Sequence, residues 1–584
     1  MSSENNISDI ERDRQLLVEA KQKGKLSTLR AWVRLSGPGW LQSAITIGGG
    51  SLSNSLYLGV LVGFSCMWIQ PMAMILGVVM LSAISYVALS TGQRPFRAIN
   101  EHVSPVLGWG WILASMVANV VWALPQYSLS AGALQQNLFP DFFGTVSTPG
   151  VFGSAEAGTA VAALMVLGVA IFNVMLYIRG GWGVKVFEII IKTVIGLIVI
   201  AFFGVIIKLS CTEGSRLEWN RVFAGLVPDI DLFNNPAPAI AAEIGNVSEG
   251  FRGFWTDHVV GAQRSVMIGA AATAVGINMT FLLPYSMIRK GWGREFKHLA
   301  IFDLATGLVI PFTLATGCVV MATATQFHAR PFPGLLGEKD ANGNVVPPDE
   351  NLVEPYKKLL DKRITGSMKA EQSQAYKDLD DSEKQNRRDA LPLADRRVAA
   401  MLVSPDSFNL ARSLKPLLGE GLAMYIFGFG VVAMTLNAAT MLMLINGLCL
   451  CELLGKPLRG KTQVVGSLLP AVGVTGAFFW SGAKMWLAVP TSVFCSALLP
   501  VAYIAFAVLI NQNKLMGEDR LRGPWKLIWN AAMALAVVAT TGLSLWVLWS
   551  KAGWPGIGIF VAFGLLVIVV HFARKGRTGA WRNT

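Results

Sequence analysis

Apolar residues along the chain gather in blocks of about twenty or more positions, without the alternation of a strand or the narrow stripe of a soluble helix. Blocks of that length match helices that cross roughly 30 Å of hydrocarbon. They run near 37–62, 65–91, 107–139, 157–178, 185–209, 264–288 and 302–325. After a polar stretch they resume near 421–450, 464–482, 485–510, 528–549 and 555–572. The pattern predicts an all-α polytopic membrane protein with about twelve spans.

Two blocks are interrupted where a spanning helix should be continuous. The first carries Gly48, Gly49, Gly50 and Ser51, followed by Ser53, Asn54 and Ser55, with no charge nearby. Each glycine costs about 1 kcal/mol of helix propensity relative to alanine, and unpaired peptide groups in hydrocarbon cost several more. Irregular backbone persists at that depth where it lines a cavity or is buried in protein, and transporters use such points to hold solutes. A close helix contact made by small residues is the alternative. The sixth block, however, carries a matching interruption in Ala270 to Met279, where Val275, Gly276, Ile277 and Asn278 sit in mid-segment and Pro284 follows. Five spans separate one break from the next, the spacing of a five-plus-five inverted repeat with two helices appended. The expected division is a tail at 1–34, a first repeat at 35–209, an extracytosolic loop at 210–262 and a second repeat at 263–510. An extracytosolic insertion at 326–420 interrupts the second repeat, spans eleven and twelve occupy 511–572, and a tail follows at 573–584.

Composition agrees, with 53% hydrophobic and only 15% charged residues. The formal net charge of +13 comes from basic residues that flank spans: Lys21 to Arg34, Arg94 and Arg97, Arg179 and Lys185, Arg289 to Lys297, Lys456 to Lys461, Lys514 to Lys526, and Arg574 to Arg582. All fall on one side of a twelve-span arrangement, which predicts cytosolic termini in a plasma or inner membrane. The two long connections are exempt from that rule, and the polar 326–420 stretch reads as solvated helix. Basic residues spread in this way exclude a nucleic-acid partner. The N-terminal stretch has no apolar h-region and is expected to be a cytosolic tail, amphipathic if helical. Six cysteines show no paired metal-ligand spacing, and neither a nucleophile with an adjacent base nor a metal triad can be assembled from the spans. The expected protein is therefore not an enzyme and has no cofactor. Its expected partners are a small solute or ion and membrane lipid, with no obligate protein partner.

Several strings along the membrane part resemble the NRAMP family of proton-coupled divalent-metal transporters. The first helix opens with Gly37, Pro38 and Gly39, the second ends in Thr91 and Gly92, Gly225 to Pro228 follow the fifth, and Leu515 to Glu518 precede the eleventh. The resemblance implies the LeuT-like inverted repeat and metal ion transport. At the site the family motifs are replaced. Its Asp-Pro-Gly-Asn falls on Gly48, Gly49, Gly50 and Ser51, and its Met-Pro-His-Asn on Val275, Gly276, Ile277 and Asn278. In span eight its Gly-Gln-Ser-Ser falls on Thr435, Leu436, Asn437 and Ala438. The carboxylate, thioether and histidine that serve metal and proton are absent from those positions.

The candidate substrate-binding residues are thus Gly48, Gly49, Gly50, Ser51, Asn54, Val275, Gly276, Asn278 and Asn437, and no metal is assigned. Transition metals need carboxylate, imidazole or thioether donors to compete with water. Neutral oxygens from Ser51, Asn54, Asn278, Thr280, Asn437 and loosened carbonyls suit a largely hydrated cation such as Mg²⁺, although an uncompensated double charge is costly in low dielectric. Glycine backbone N–H groups and helix N-termini suit a neutral or anionic solute. The five histidines lie near span ends or in loops, and Glu188 and Lys192, spaced i, i+4 in span five, form either a structural ion pair or a coupling pair. Three functions are consistent with this set: a secondary-active metal ion transporter, a LeuT-fold carrier of a neutral or anionic solute, and a non-transporting receptor or scaffold. The last would have its break collapsed and filled by large side chains.

Overall fold

The computed structural model describes residues 2–145, 148–179, 217–340, 342–366, 368–413, 420–458, 460–479 and 483–580, with isolated positions between 186 and 211. Among the described residues every regular element is helical apart from one isolated bridge, Lys339 to Val345. Eight of these helices are long and apolar enough to cross a membrane, and a ninth span is the bent pair Lys484–Ser496 and Leu499–Ile510. The first apolar block is two half-helices, Pro38–Thr46 and Gly49–Val62. The eleventh and twelfth blocks are two helices that meet at a kink at Gly553, together the run Gly523–Ala580. Gly553 has a φ of +58°, which favours glycine, and Pro555 two residues on removes a backbone donor. The fifth block, with Glu188 and Lys192, lies outside the described residues.

The second broken helix departs from its expected start. Its first half is Glu249–Ala272, beginning inside the segment read as loop up to 262. The extra turns are polar, so no apolar block marks them, and they are held by the insertion. Trp255 Nε1 donates to Asp395 Oδ1 at 2.8 Å, and the Arg363 guanidinium lies 3.3 Å from the Phe251 ring centroid.

The insertion folds as helices Glu350–Thr365, Ala370–Lys377, Asp381–Asp389, Leu393–Leu402 and Ser407–Ser413. Two ion pairs hold it together: Arg363 Nε to Asp395 Oδ1 at 2.6 Å, both buried, and Arg388 Nε to Asp361 Oδ1 at 2.7 Å. Its far end reaches the bundle. Tyr57 donates its hydroxyl to the Pro405 carbonyl at 2.8 Å, and the Asp406 carboxylate accepts from Lys484 N at 3.0 Å and Met485 N at 2.9 Å. At the opposite end of the bundle the N-terminal helix Ser2–Lys23 docks through buried Leu17 and Ala20 and through Arg14, 2.5 Å from Glu295.

Candidate solute site at the paired breaks

Both interruptions are real breaks in the helical backbone. Ile47 (φ −86°, ψ 66°) and Gly48 (φ −118°, ψ −175°) leave the helical region, and Gly276 (φ −77°, ψ 157°) is extended ahead of Ile277–Arg289. Four helix ends therefore converge: the carbonyl ends of Pro38–Thr46 and Glu249–Ala272, and the N–H ends of Gly49–Val62 and Ile277–Arg289. The glycines serve close approach, since none of the three at the first break has a positive φ. A Cβ on Gly50 would run into the Trp122 ring, and one on Gly49 would lie 2.6 Å from both Leu129 Cδ1 and Thr435 Cγ2.

Where the ends meet is a cavity of about 30 Å³, enough for roughly one water-sized species. Its polar lining is Thr46, Ser51, Gln126, Thr273 and Asn278; Trp122, Met279, Ile45, Leu442 and small residues complete the wall. Gly49 N donates to Gln126 Oε1 at 3.2 Å, so the third spanning helix, Pro105–Ala133, engages the first break. Ser51 Oγ donates to the Thr46 carbonyl across the break, and Thr46 Oγ1 donates to Met279 Sδ at 3.4 Å. Gln42 Nε2 donates to the Met279 carbonyl at 3.0 Å, while its Oε1 is buried with no donor. Asn278 Nδ2 donates to Asn119 Oδ1 at 3.1 Å, Asn119 Nδ2 to Asn446 Oδ1 at 3.3 Å, and Asn446 Nδ2 to the Gly466 carbonyl at 2.9 Å. This amide chain ties the second break to three further helices, Pro105–Ala133, Glu420–Leu453 and Lys461–Leu468. Among the described residues no group of three His, Cys, Asp or Glu is placed to hold a metal.

Of the expected site residues, Gly50, Ser51, Gly276 and Asn278 line the cavity. Gly48 and Gly49 stand behind it, against Ala438 and Gln126 respectively. Asn54 is a strut instead, donating to Gly50 O at 2.8 Å and Ser492 Oγ at 2.9 Å. Val275 packs on Gly77, Asn437 is buried one position before the lining residue Ala438, and Thr280 accepts from Trp111 Nε1 at 2.8 Å. The expectation that no thioether serves the breaks is corrected by Met279, whose sulfur faces Thr46. Its position one residue beyond the aligned motif concealed it. Trp122 and Gln126 were also missed; their signal is a polar residue in mid-span beside the helix-interior Pro125.

A family model described as natural resistance-associated macrophage protein-like matches residues 398–550, which supports the NRAMP resemblance over that part of the chain. Solved structures extend the likeness in fold to nearly the whole chain. A variant of the manganese transporter from Eremococcus coleocola superposes with a TM-score of 0.58 at 15% identity, covering 93% of this chain and 95% of that one. The same transporter bound to an aromatic bis-isothiourea compound gives 0.56 at 14% identity, covering 94% of each. A second variant gives 0.50 at 15% identity over 93% and 95%. No curated relative matches the sequence. The chain thus has the LeuT-like inverted-repeat fold of a polytopic integral membrane protein.

Proposed function

We propose that the protein is a carrier of metal ions in which one small cation, keeping part of its hydration shell, binds between the two breaks on neutral donors. The cavity carries this reading: it is ion-sized, it lies where four helix ends converge, and every polar group in its lining is uncharged. The carbonyl ends of two half-helices favour a cation by about 0.3–2 kcal/mol each and the two N–H ends oppose it by a similar amount, an opposition that Gln126 Oε1 offsets at Gly49 N. Mg²⁺ retains waters readily and suits hydroxyl and amide oxygens. The Met279 thioether adds one soft donor, which favours Mn²⁺ or Fe²⁺ more than the oxygens alone do. With no carboxylate the double charge is poorly compensated, so binding is weak.

The NRAMP resemblance and the fold support a secondary-active transporter over an enzyme, with cytosolic termini in a plasma or inner membrane. No titratable residue lines the cavity, so in this reading the cation is driven by the gradient of an ion other than the proton. In proteoliposomes containing a pH dye, saturable Mg²⁺ or Mn²⁺ uptake without acidification is expected. Saturable Mn²⁺ uptake with acidification would overturn the proton-independent mechanism. Flux of bicarbonate or an amino acid with no cation flux would favour the alternative of a neutral or anionic solute. That alternative draws on Gly49 N–H at a half-helix N-terminus, but Gln126 already engages this donor. Trp122 packed on Gly50 is what a non-transporting scaffold would show, while the polar lining opposes collapse.

A further inference from the structure

A second cavity, of about 1420 Å³, lies away from the breaks along the flank of the bundle. Its wall is apolar for most of its length, with Leu113 and Val117 from Pro105–Ala133, Phe494 and Val501 from the bent pair, and Phe563 and Val567 from the C-terminal run. That run is the least covered of the spans, only 6% of its apolar window being buried by protein, so the slot adjoins the hydrocarbon of the bilayer. One end is different. Lys358 and Lys362, one turn apart on Glu350–Thr365 of the insertion, line it together with Lys551 from the bend region of the C-terminal run.

All three lysines are exposed, and among the described residues none has a carboxylate within ion-pair distance. Two carboxylates share this end of the cavity. Glu354 is engaged by Lys357 at 3.2 Å, which leaves one other lining carboxylate, Asp257, against three ammonium groups. Hydrocarbon fills the slot but cannot answer those charges, and a soluble anion answers the charges but not the slot. We propose that this cavity binds an anionic glycerophospholipid, with its acyl chains along the slot and its phosphate among Lys358, Lys362 and Lys551. Such a lipid joins the insertion, the bundle and the appended helices. The inference does not rest on what the carrier transports.

The test uses the full-length protein, delipidated in detergent and titrated separately with dioleoylphosphatidylglycerol, dioleoylphosphatidylcholine and inorganic phosphate. Native mass spectrometry and the thermal midpoint are the readouts. Phosphatidylglycerol is expected to remain bound and raise the midpoint, phosphatidylcholine to do so more weakly, and phosphate to have no effect. The exposed double change K358A/K362A should leave the lipid-free midpoint unchanged and weaken phosphatidylglycerol binding roughly 30-fold, about 1 kcal/mol per lysine near a membrane surface. Ala114→Trp, which fills the slot and leaves the lysines in place, should also reduce binding. Equal binding of the two lipids, undiminished binding by K358A/K362A, or an effect of phosphate equal to that of the lipid would overturn the proposal.

Discussion

Asn278 does two things at the second break. Its Oδ1 accepts from Met279 N at 3.0 Å within the first turn of the half-helix, and its Nδ2 donates to Asn119. Asn278→Leu removes both bonds and leaves Asn119 Oδ1 buried without that donor, at a cost of about 1–3 kcal/mol. The variant should still fold, as judged by a monodisperse membrane extract, and should lose cation flux; unchanged flux would remove Asn278 from the site. Gly50 offers a sharper test because its role is steric. Gly50→Ala drives a methyl into the Trp122 ring and should cost about 1–3 kcal/mol by overpacking while abolishing transport. Adding Trp122→Phe shortens the obstructing ring, so the double variant should recover thermal stability relative to Gly50→Ala alone. The glycines and Asn278 could be picked out in the sequence because they violate the chemistry of a spanning helix. Met279 could not, because successive residues in a helix's first turn point about 100° apart and which one faces a cavity depends on how the half-helix is rotated. Trp122 and Gln126 carried only the weak signal of a polar residue beside a helix-interior proline in mid-span.

At each end of the bundle a carboxylate holds a helix start. Asp303 Oδ1 accepts from Gly37 N at 3.0 Å and from Ser36 Oγ, and its Oδ2 accepts from Gly39 N at 2.6 Å. These donors belong to the opening turn of Pro38–Thr46, whose N–H groups have no partners within the helix. Gly39 is required because a Cβ there would collide with the Asp303 carbonyl. Asp406 does the same for Lys484 and Met485 at the other face. Asp303→Ala strips three hydrogen bonds from the half-helix, so the protein should open toward the Asp303 face. A cysteine replacing Thr273 in the cavity, in a background where the exposed Cys211 is Ser, should then label faster from that face. Labelling no faster than in the parent would show that Asp303 is not a latch. The sequence marks Asp303 only as a charge at a span end. Its partners are 264 to 267 residues away, and one sequence carries no signal for such a contact. The spans themselves were legible because hydrocarbon imposes length and apolarity on them. The polar start of Glu249–Ala272 escaped because it packs on the polar insertion, where no run of apolar residues is required.

Taken as a whole, the molecule is a paired-break bundle with a folded cap on one face. The cap is sensitive to acid for a definite reason. Burial works to raise the Asp361 pKa, but hydrogen bonds from Arg388 and from Tyr376, whose hydroxyl lies 2.5 Å away, outweigh it and hold the carboxyl below its ordinary value. A carboxylate depressed in the folded state contributes stability above its unfolded pKa of about 3.9, and that contribution is lost as pH falls through the lower folded value. Hydrogen-exchange protection across 350–402, measured relative to the intrinsic rate at each pH, should therefore fall below about pH 4, and Asp361→Asn should show the reduced protection already at neutral pH. The cap in turn touches the first broken helix and the tenth span. Pro405 accepts from Tyr57 on Gly49–Val62, and Asp406 holds the start of the tenth span, so opening on this face requires the cap to release both or travel with them. Tyr57→Phe deletes only the hydroxyl and keeps the edge contact with Trp486, at 4.7 Å between ring centroids. Loss of that bond removes about 0.5–1.5 kcal/mol from the closed arrangement, a shift of roughly two- to tenfold toward opening on the cap face. Faster labelling of the cavity cysteine from that face is the expected result. Labelling that stays at the parent rate in Tyr57→Phe would mean that the cap travels with the first broken helix as one body.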